Sequence, residues 1–400
     1  MPSSLERVSA VRNVRLGVNE DSLTTHDIVL DEEGRISGTP PASDRPFEHG
    51  EIDGRGLLAL PGLVNAHAHV DKSWIGHPWQ SYGGEGGTDG RIRHERARRD
   101  ELGIPGLDIT RRVLAEFVRF GTTAIRTHVD VDLGVGLRGI DVVREAVAEY
   151  GGALRAEIVA FPQDGVLRRP GVLDLLRQAA EAGAEYVGGL DPASIDRDPV
   201  GQLDAIFAVA DETGAGIDIH LHDPAELGAF QFDLIIDRTQ ALGLTGRVNI
   251  AHGFALAQVE ASRRRDLLRA MSELDITLTT VAPLRLPQLP LHELDAAGVR
   301  FGFGTDGIRD LWSPYGTGDL LGIAWQYARS SSLVRDDDLR RVVEIATTDG
   351  GPFAGAGRIS LAAGDRADLM LLDAENAMDA LVRTPPRELV LGGGRVLHRA

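Results

Sequence analysis

The 400-residue chain contains no cysteine. That one absence removes disulfides, thiolate nucleophiles, Cys-ligated zinc and iron–sulfur clusters. It also removes the zinc deaminases that hold their metal with paired cysteines after an H-x-E motif. Any metal must therefore sit on histidine and carboxylate. Basic charge is scarce as well: 42 Lys and Arg face 60 Asp and Glu, a formal net charge of −18. A phosphate backbone would be repelled, which argues against nucleic acid as a partner. No stretch approaches the roughly 18 uninterrupted apolar residues of a membrane helix. Residues 1–17 lack the apolar core and cleavage pattern of an export signal. A cytoplasmic protein with no membrane partner is expected. Lysine is almost missing: only Lys72 is present, against 41 arginines. Such a bias reflects a coding background in which Arg replaces Lys wherever a plain positive charge suffices, so the position of the surviving lysine matters.

What is present is ordinary globular composition, 42% apolar and 26% charged. From residue 62 to 306 short apolar runs alternate with amphipathic stretches. The runs are 62–70, 124–131, 154–161, 186–190, 216–221, 247–251, 276–281 and 299–304. Helical spacing appears at 110–119, 140–150, 172–182, 203–212, 230–242 and 259–273, often closed by glycine, as at Gly121, Gly151 and Gly183. Eight parallel β/α units predict an α/β fold, a (β/α)₈ TIM barrel over residues 61–356. Residues 1–60 and 357–400 carry short alternating strands at 27–30, 35–37, 368–372, 388–391 and 395–397. Neither end has enough apolar residues to fold alone, so together they are expected to form a small flanking β-sandwich. Residues 73–105 form a long glycine-rich excursion after the first strand, read as an active-site lid or a passive surface loop.

In such a barrel, chemistry collects where strands end. Six of the twelve histidines fall there: His67, His69, His128, His220, His222 and His252. Residues two apart on a strand point the same way. His67 and His69 can thus grip one metal, with His220 and Asp306 completing the shell. Histidine and aspartate donors suit Zn²⁺ or Fe²⁺, with a water in the remaining position. Asp306 can also take the water's proton, and His252 can hydrogen-bond the attacking water or the forming oxyanion. Asp223 is either a proton shuttle or a helix N-cap before Pro224, with Glu226 completing a capping box. Lys72 stands at the mouth, where a compact ammonium can pin a substrate oxygen in a way Arg does not copy. Gln163 offers an amide donor and acceptor to a lactam or amidine edge, and Trp312 a face for a flat ring. Both fit loop packing equally well.

The assembly Leu60-Pro-Gly-Leu-Val-Asn-Ala-His67-Ala-His69 resembles the opening of the amidohydrolase superfamily. Arg126-Thr-His-Val-Asp130, Ile158-Val-Ala-Phe-Pro-Gln163-Asp-Gly, Asp218-Ile-His220 and Phe303-Gly-Thr-Asp306 with Asp310-Leu-Trp312 are similar to its cytosine deaminase-like branch. Gly364-Asp-Arg-Ala-Asp368-Leu-Met-Leu-Leu is typical of the superfamily, and the likeness runs from residue 8 to 398. The resemblance implies a barrel with a flanking β-sandwich and one divalent metal, Zn²⁺ or Fe²⁺, on His67, His69, His220 and Asp306. It makes His252 the catalytic histidine, Gln163 the reader of the substrate amide and Trp312 a neighbour of the ring; members often assemble into homo-oligomers. The fourth strand has no lysine to carbamylate, so a bridged two-metal site is not expected. Two departures argue against plain cytosine: Asp223 stands where cytosine deaminases have Glu, and Gly307 where they have a second Asp. Lys72 and His222 resemble the sub-branch of N-isopropylammelide isopropylaminohydrolases, which makes both substrate contacts.

The expected protein is a metal-dependent hydrolase that replaces an amino or alkylamino group on a pyrimidine- or triazine-like ring with oxygen through a metal-activated water. Ring opening of a cyclic amide or imide is the alternative on the same scaffold. A non-catalytic, metal-bound small-molecule binding protein is the third reading, motivated by Asp223.

Overall fold

The computed structural model describes residues 5–17 and 23–400. Residues 1–4 and 18–22, part of the N-terminal strand-and-turn region, lie outside the described residues. The first strands are β1 (Ala10–Leu16), β2 (His26–Leu30), β3 (Ile36–Gly38), β4 (Glu51–Asp53) and β5 (Leu58–Pro61). There follow β6 (Leu63–His69), β7 (Thr122–Asp130), β8 (Arg155–Phe161), β9 (Tyr186–Leu190), β10 (Gly216–Leu221), β11 (Val248–His252) and β12 (Thr277–Thr280). Then come β13 (Phe301–Phe303), β14 (Asp306–Gly307), β15 (Leu369–Leu372), β16 (Arg387–Gly392) and β17 (Arg395–Arg399).

Strands β6 to β14 form one curled, all-parallel sheet in the order β13-β12-β11-β10-β9-β8-β7-β6-β14. Every residue of β6, β7 and β10 is buried, as expected when helices cover one face and side chains fill the other. The helix Leu107–Arg119 turns Val113, Leu114, Phe117 and Val118 inward, and Val172–Glu181 turns Val172, Leu176 and Ala179. Each large side chain among these stabilises the fold by about 1.5–3 kcal/mol. All eight apolar runs are strands, and β14 follows just beyond the last of them.

The two edges of the sheet are therefore consecutive in sequence, separated by Gly304 and Thr305. Asp306 pairs with Ala68 and Gly307 with His69. The approach is close enough that a Cβ at Gly304 would lie 2.4 Å from the His67 carbonyl oxygen, and one at Gly302 2.7 Å from the Ala66 Cβ. Glycine is required there by space.

Helices Gly87–Arg98, Leu291–Ala297, Leu320–Ser330 and Asp336–Ala346 were not anticipated. The first, α1, lies inside the excursion that the glycines made look irregular. Ile92 is its one large apolar side chain, so hydrophobic periodicity has nothing to register. Among the described residues, no helix is long and apolar enough to cross a membrane.

Both chain ends join in a second sheet, ordered β17-β16-β15-β5-β1-β2-β3, with β4 also on β1. The first half of β1 pairs with β2 and β4, and its last two residues pair with β5. Val11, Val14, Ile28 and Ile36 from one side share a core with Ala59, Leu369, Leu389 and Leu391 from the other. Arg12, 2% exposed, lies among these strands. It pairs with Asp27 at 3.3 Å and Glu51 at 3.2 Å and donates to the carbonyls of Ser43, Arg45 and Pro46. Arg12→Met leaves the buried Asp27 without its cation and Glu51 with Arg45 alone. It is expected to cost about 3 kcal/mol in urea unfolding, and unchanged stability would remove Arg12 as the clamp of this sheet.

Candidate active site

The histidines converge because β6, β7, β10 and β11 end at one mouth of the curled sheet. The rings of His67 and His128 are 4.3 Å apart, those of His67 and His220 4.7 Å, and those of His67 and His252 4.9 Å. His67, His69, His128 and His220 each bring a nitrogen within 4.8 Å of the others, and so do the ligand atoms of His67, His252 and Asp306. Asp306 and His252 hold this arrangement with left-handed backbones, φ 59° and 71°. Such conformations cost about 1–3 kcal/mol in a residue with a side chain and gather at functional sites.

The cluster has the character of a cation site. Both ring nitrogens of His67 and of His252 are buried with no hydrogen-bond partner, as are Nδ1 of His69 and of His220. Burial, reinforced by Lys72 for His69 and by the other histidines for His220, keeps both rings well below the ordinary imidazole pKa. Burial does the same for His252 and takes His128 down to about 4. They are neutral rings with lone pairs to give. Burial opposes the charge of Asp306, but its neighbours His67, His69 and His252 hold its carboxyl well below the usual range. His69 Nε2 stands 3.3 Å from His220 Nε2 and 3.4 Å from Asp306 Oδ1, which is 3.7 Å from His67 Nε2. Donors about 2.0–2.1 Å from a tetrahedral zinc would be about 3.3–3.4 Å apart. The donor type, charge and spacing of this histidine–aspartate cluster therefore suit a metal ion. The sequence reading gave His128 no role. It packs behind this group, 3.3 Å from Asp218, which also binds Arg126 and Asn249.

A cavity of about 1090 Å³ opens over the cluster, lined by His69, His220, His222, His252 and Asp306, with Lys72, Phe161, Gln163 and Trp312 across from them. Phe161 stacks on His220 at 4.2 Å and forms the wall between the two groups. Lys72 is 3% exposed, held by Asp130 at 2.8 Å and by the Gln163 side-chain oxygen at 2.5 Å. Burial works against its charge, but Asp130, Glu95 and Asp71 raise its pKa above the ordinary lysine value. The ammonium stays protonated and keeps one N–H unused.

Gln163 was expected to offer both a donor and an acceptor to substrate. Its amide nitrogen instead donates to Glu95 at 2.9 Å and to Asp130 at 3.1 Å. Glu95, on α1, also accepts from Trp312 Nε1. The sequence reading missed Glu95, which sits unremarked in a run of charged residues.

His222 lies over His252, ring centroids 4.1 Å apart, and its Nδ1 is 3.0 Å from Asp191. Burial opposes its charge, while the Asp191 carboxylate raises its pKa above the ordinary value. Asp191 was visible as a strand end but had no assigned partner. Asp223 does neither of the things expected of it. It is buried, bonded to Ser194 and, at 2.9 Å, to Gln231; it does not line the cavity, and no side-chain cap forms on the helix Ala225–Ala241. Being one methylene shorter than Glu, it is captured by these two neighbours.

The amidohydrolase family profile matches residues 107–398. A crystal structure of N-isopropylammelide isopropylaminohydrolase from Burkholderia multivorans is 38% identical, with a TM-score of 0.89 and 98% of each chain covered. N-isopropylammelide isopropyl amidohydrolase of Pseudomonas sp. strain ADP is 29% identical over 97% of this chain and 96% of its own. A 5-methylcytosine deaminase structure from Klebsiella pneumoniae, liganded with 5-fluorocytosine, shares the fold at 24% identity and a TM-score of 0.85, covering 98% and 97%. With a histidine–aspartate cation site at the strand ends and this match over most of its length, the chain belongs to the amidohydrolase family, metal-dependent hydrolases of C–N bonds.

Proposed function

We propose that this protein removes an amino or alkylamino group from an oxo-bearing pyrimidine- or triazine-like ring, leaving oxygen in its place. The observation that carries the reading is one cavity with two unlike walls. One wall is the cluster of neutral histidines with Asp306; the other is a buried, charged Lys72 with a single N–H to spare. An oxo group on the ring satisfies that N–H while the C–N carbon faces the cluster. The domain reading that accompanies it is a (β/α)₈ barrel, 61–356, closed by β14 on β6, and a β-sandwich from 1–60 and 357–400. The likeness to the two N-isopropylammelide hydrolases supports the substrate class.

One divalent ion, Zn²⁺ or Fe²⁺, would be held by His67, His69, His220 and Asp306 and would supply the acidification of a water at neutral pH. The Asp306 carboxylate is placed to take a proton from the attacking water. His252 hydrogen-bonds the oxygen as negative charge develops. His222, oriented by Asp191 through Nδ1, has its other nitrogen free to pass a proton to the departing amine, the task the sequence reading gave to Asp223. The new C–O bond forms, the C–N bond breaks, and the amine leaves protonated. Lys72 pins the ring oxygen, and the Trp312 face covers the ring.

Mass spectrometry of a heterocycle panel with metal-replete protein checks this. Exchange of amine for oxygen is expected for amino- or alkylamino-oxo-triazines, whereas a product heavier by a whole water would replace the reading with ring opening. Asp306→Ala is expected to lower both metal content and turnover, the latter by at least about 10³-fold, in a folded protein. Undiminished activity would sink the site assignment. Lys72→Arg is expected to cut kcat/KM about 100-fold because the longer fork cannot hold the same oxygen position. Wild-type kinetics in that variant would return Lys72 to a purely structural role.

A further inference from the structure

The three side chains facing the catalytic histidines across the cavity are strung together by a residue from the excursion. Glu95 is 2% exposed. One of its oxygens accepts from Gln163 Nε2 at 2.9 Å and the other from Trp312 Nε1. The second Gln163 amide hydrogen goes to Asp130, and the amide oxygen faces the Lys72 ammonium, which has donors only. That ammonium fixes which way the amide points. Gln163 therefore has no hydrogen left to give and one lone pair left to receive. Glu95 is itself held in place: Arg99 makes a two-point pair with Asp132, Arg96 pairs with Asp164 at 2.9 Å, and Asp89 pairs with Arg168 at 2.7 Å. These bonds dock α1 on the loops that follow β7 and β8.

We propose that Glu95 is a positioning residue that sets substrate specificity by keeping Gln163 an acceptor only. The site then selects rings that present an N–H to Gln163 and rejects rings that present a bare nitrogen there. Two facing acceptors with no proton between them leave both unpaired in a closed cavity, and such a mismatch is costly. Glu95 touches neither the reacting carbon nor the leaving group; it acts through Gln163. This inference rests on the heterocycle reading above.

The test compares two aminotriazines with the metal-replete wild type, Glu95→Ala and Glu95→Gln. One substrate carries two oxo groups and ring N–H; the other carries a single oxo group with its one ring N–H replaced by N-methyl, so that its remaining ring nitrogens are bare. The wild type is expected to favour the first by about tenfold or more in kcat/KM. Glu95→Ala frees a Gln163 N–H, and the ratio is expected to fall about tenfold. Glu95→Gln keeps one acceptor oxygen and is expected to fall between; it carries the comparison alone if the alanine variant does not fold. A purely structural role for the excursion lowers both substrates alike, so an unchanged ratio overturns the proposal. A wild type that turns over neither ring removes the heterocycle reading and this inference with it, a result distinct from turnover with an unchanged ratio.

Discussion

The site depends on one short ladder, the pairing of Asp306 and Gly307 with Ala68 and His69. This contact sets β14 beside β6 at one edge of the curled sheet, and it carries a carboxylate to the end of the strand that holds His67 and His69. It is permitted by two residues without side chains, Gly302 and Gly304, which let the last strand run against β6 at a distance no Cβ tolerates. The left-handed backbone of Asp306 follows from this closeness, since the chain must turn at once to leave the strand. The pairing of β14 with β6 and the assembly of the histidine–aspartate cluster therefore go together.

Around that ladder the protein buries charge in an ordered way. His69, His128, His220 and His252 are kept neutral, chiefly by burial, leaving Asp306 as the anion of the cluster. The only lysine is kept cationic by three carboxylates, of which Asp71 is pushed up to about 7 by burial and by the charge of Asp130. Lysine suits this place because a point charge with three separately aimed N–H groups serves Asp130, Gln163 and a third partner in different directions, where a planar guanidinium would commit its donors to one fork.

Most of this was legible in the sequence because it rests on periodicity and on residues at strand ends. The eight apolar runs gave the strands, and the spacing of His67 and His69 put both on one face. Asp306, His220 and His252 fell at corresponding ends and do meet. Sequence was blind where contacts join loops. Nothing local distinguishes Glu95 from its neighbours in a run of charges, since its importance lies in Gln163 and Trp312, 68 and 217 residues away. Asp223 misled for a related reason: its position relative to His220 is that of a shuttle, but Ser194 and Gln231 claim the carboxylate. The amide of Gln163 looked free for substrate because the partners that saturate it come from three other segments.

The helix α1 buries little more than Gly90, Ile92 and Glu95, and it docks over the cavity through ion pairs. Docking by charge removes little apolar surface from water, so undocking this helix would involve only a small change in heat capacity. The hydration penalty for pairing charges also falls as temperature rises. A cover held in this way keeps its grip on warming and does not loosen on cooling as a hydrophobic flap would. The docking of this helix should therefore depend on ionic strength more than on temperature.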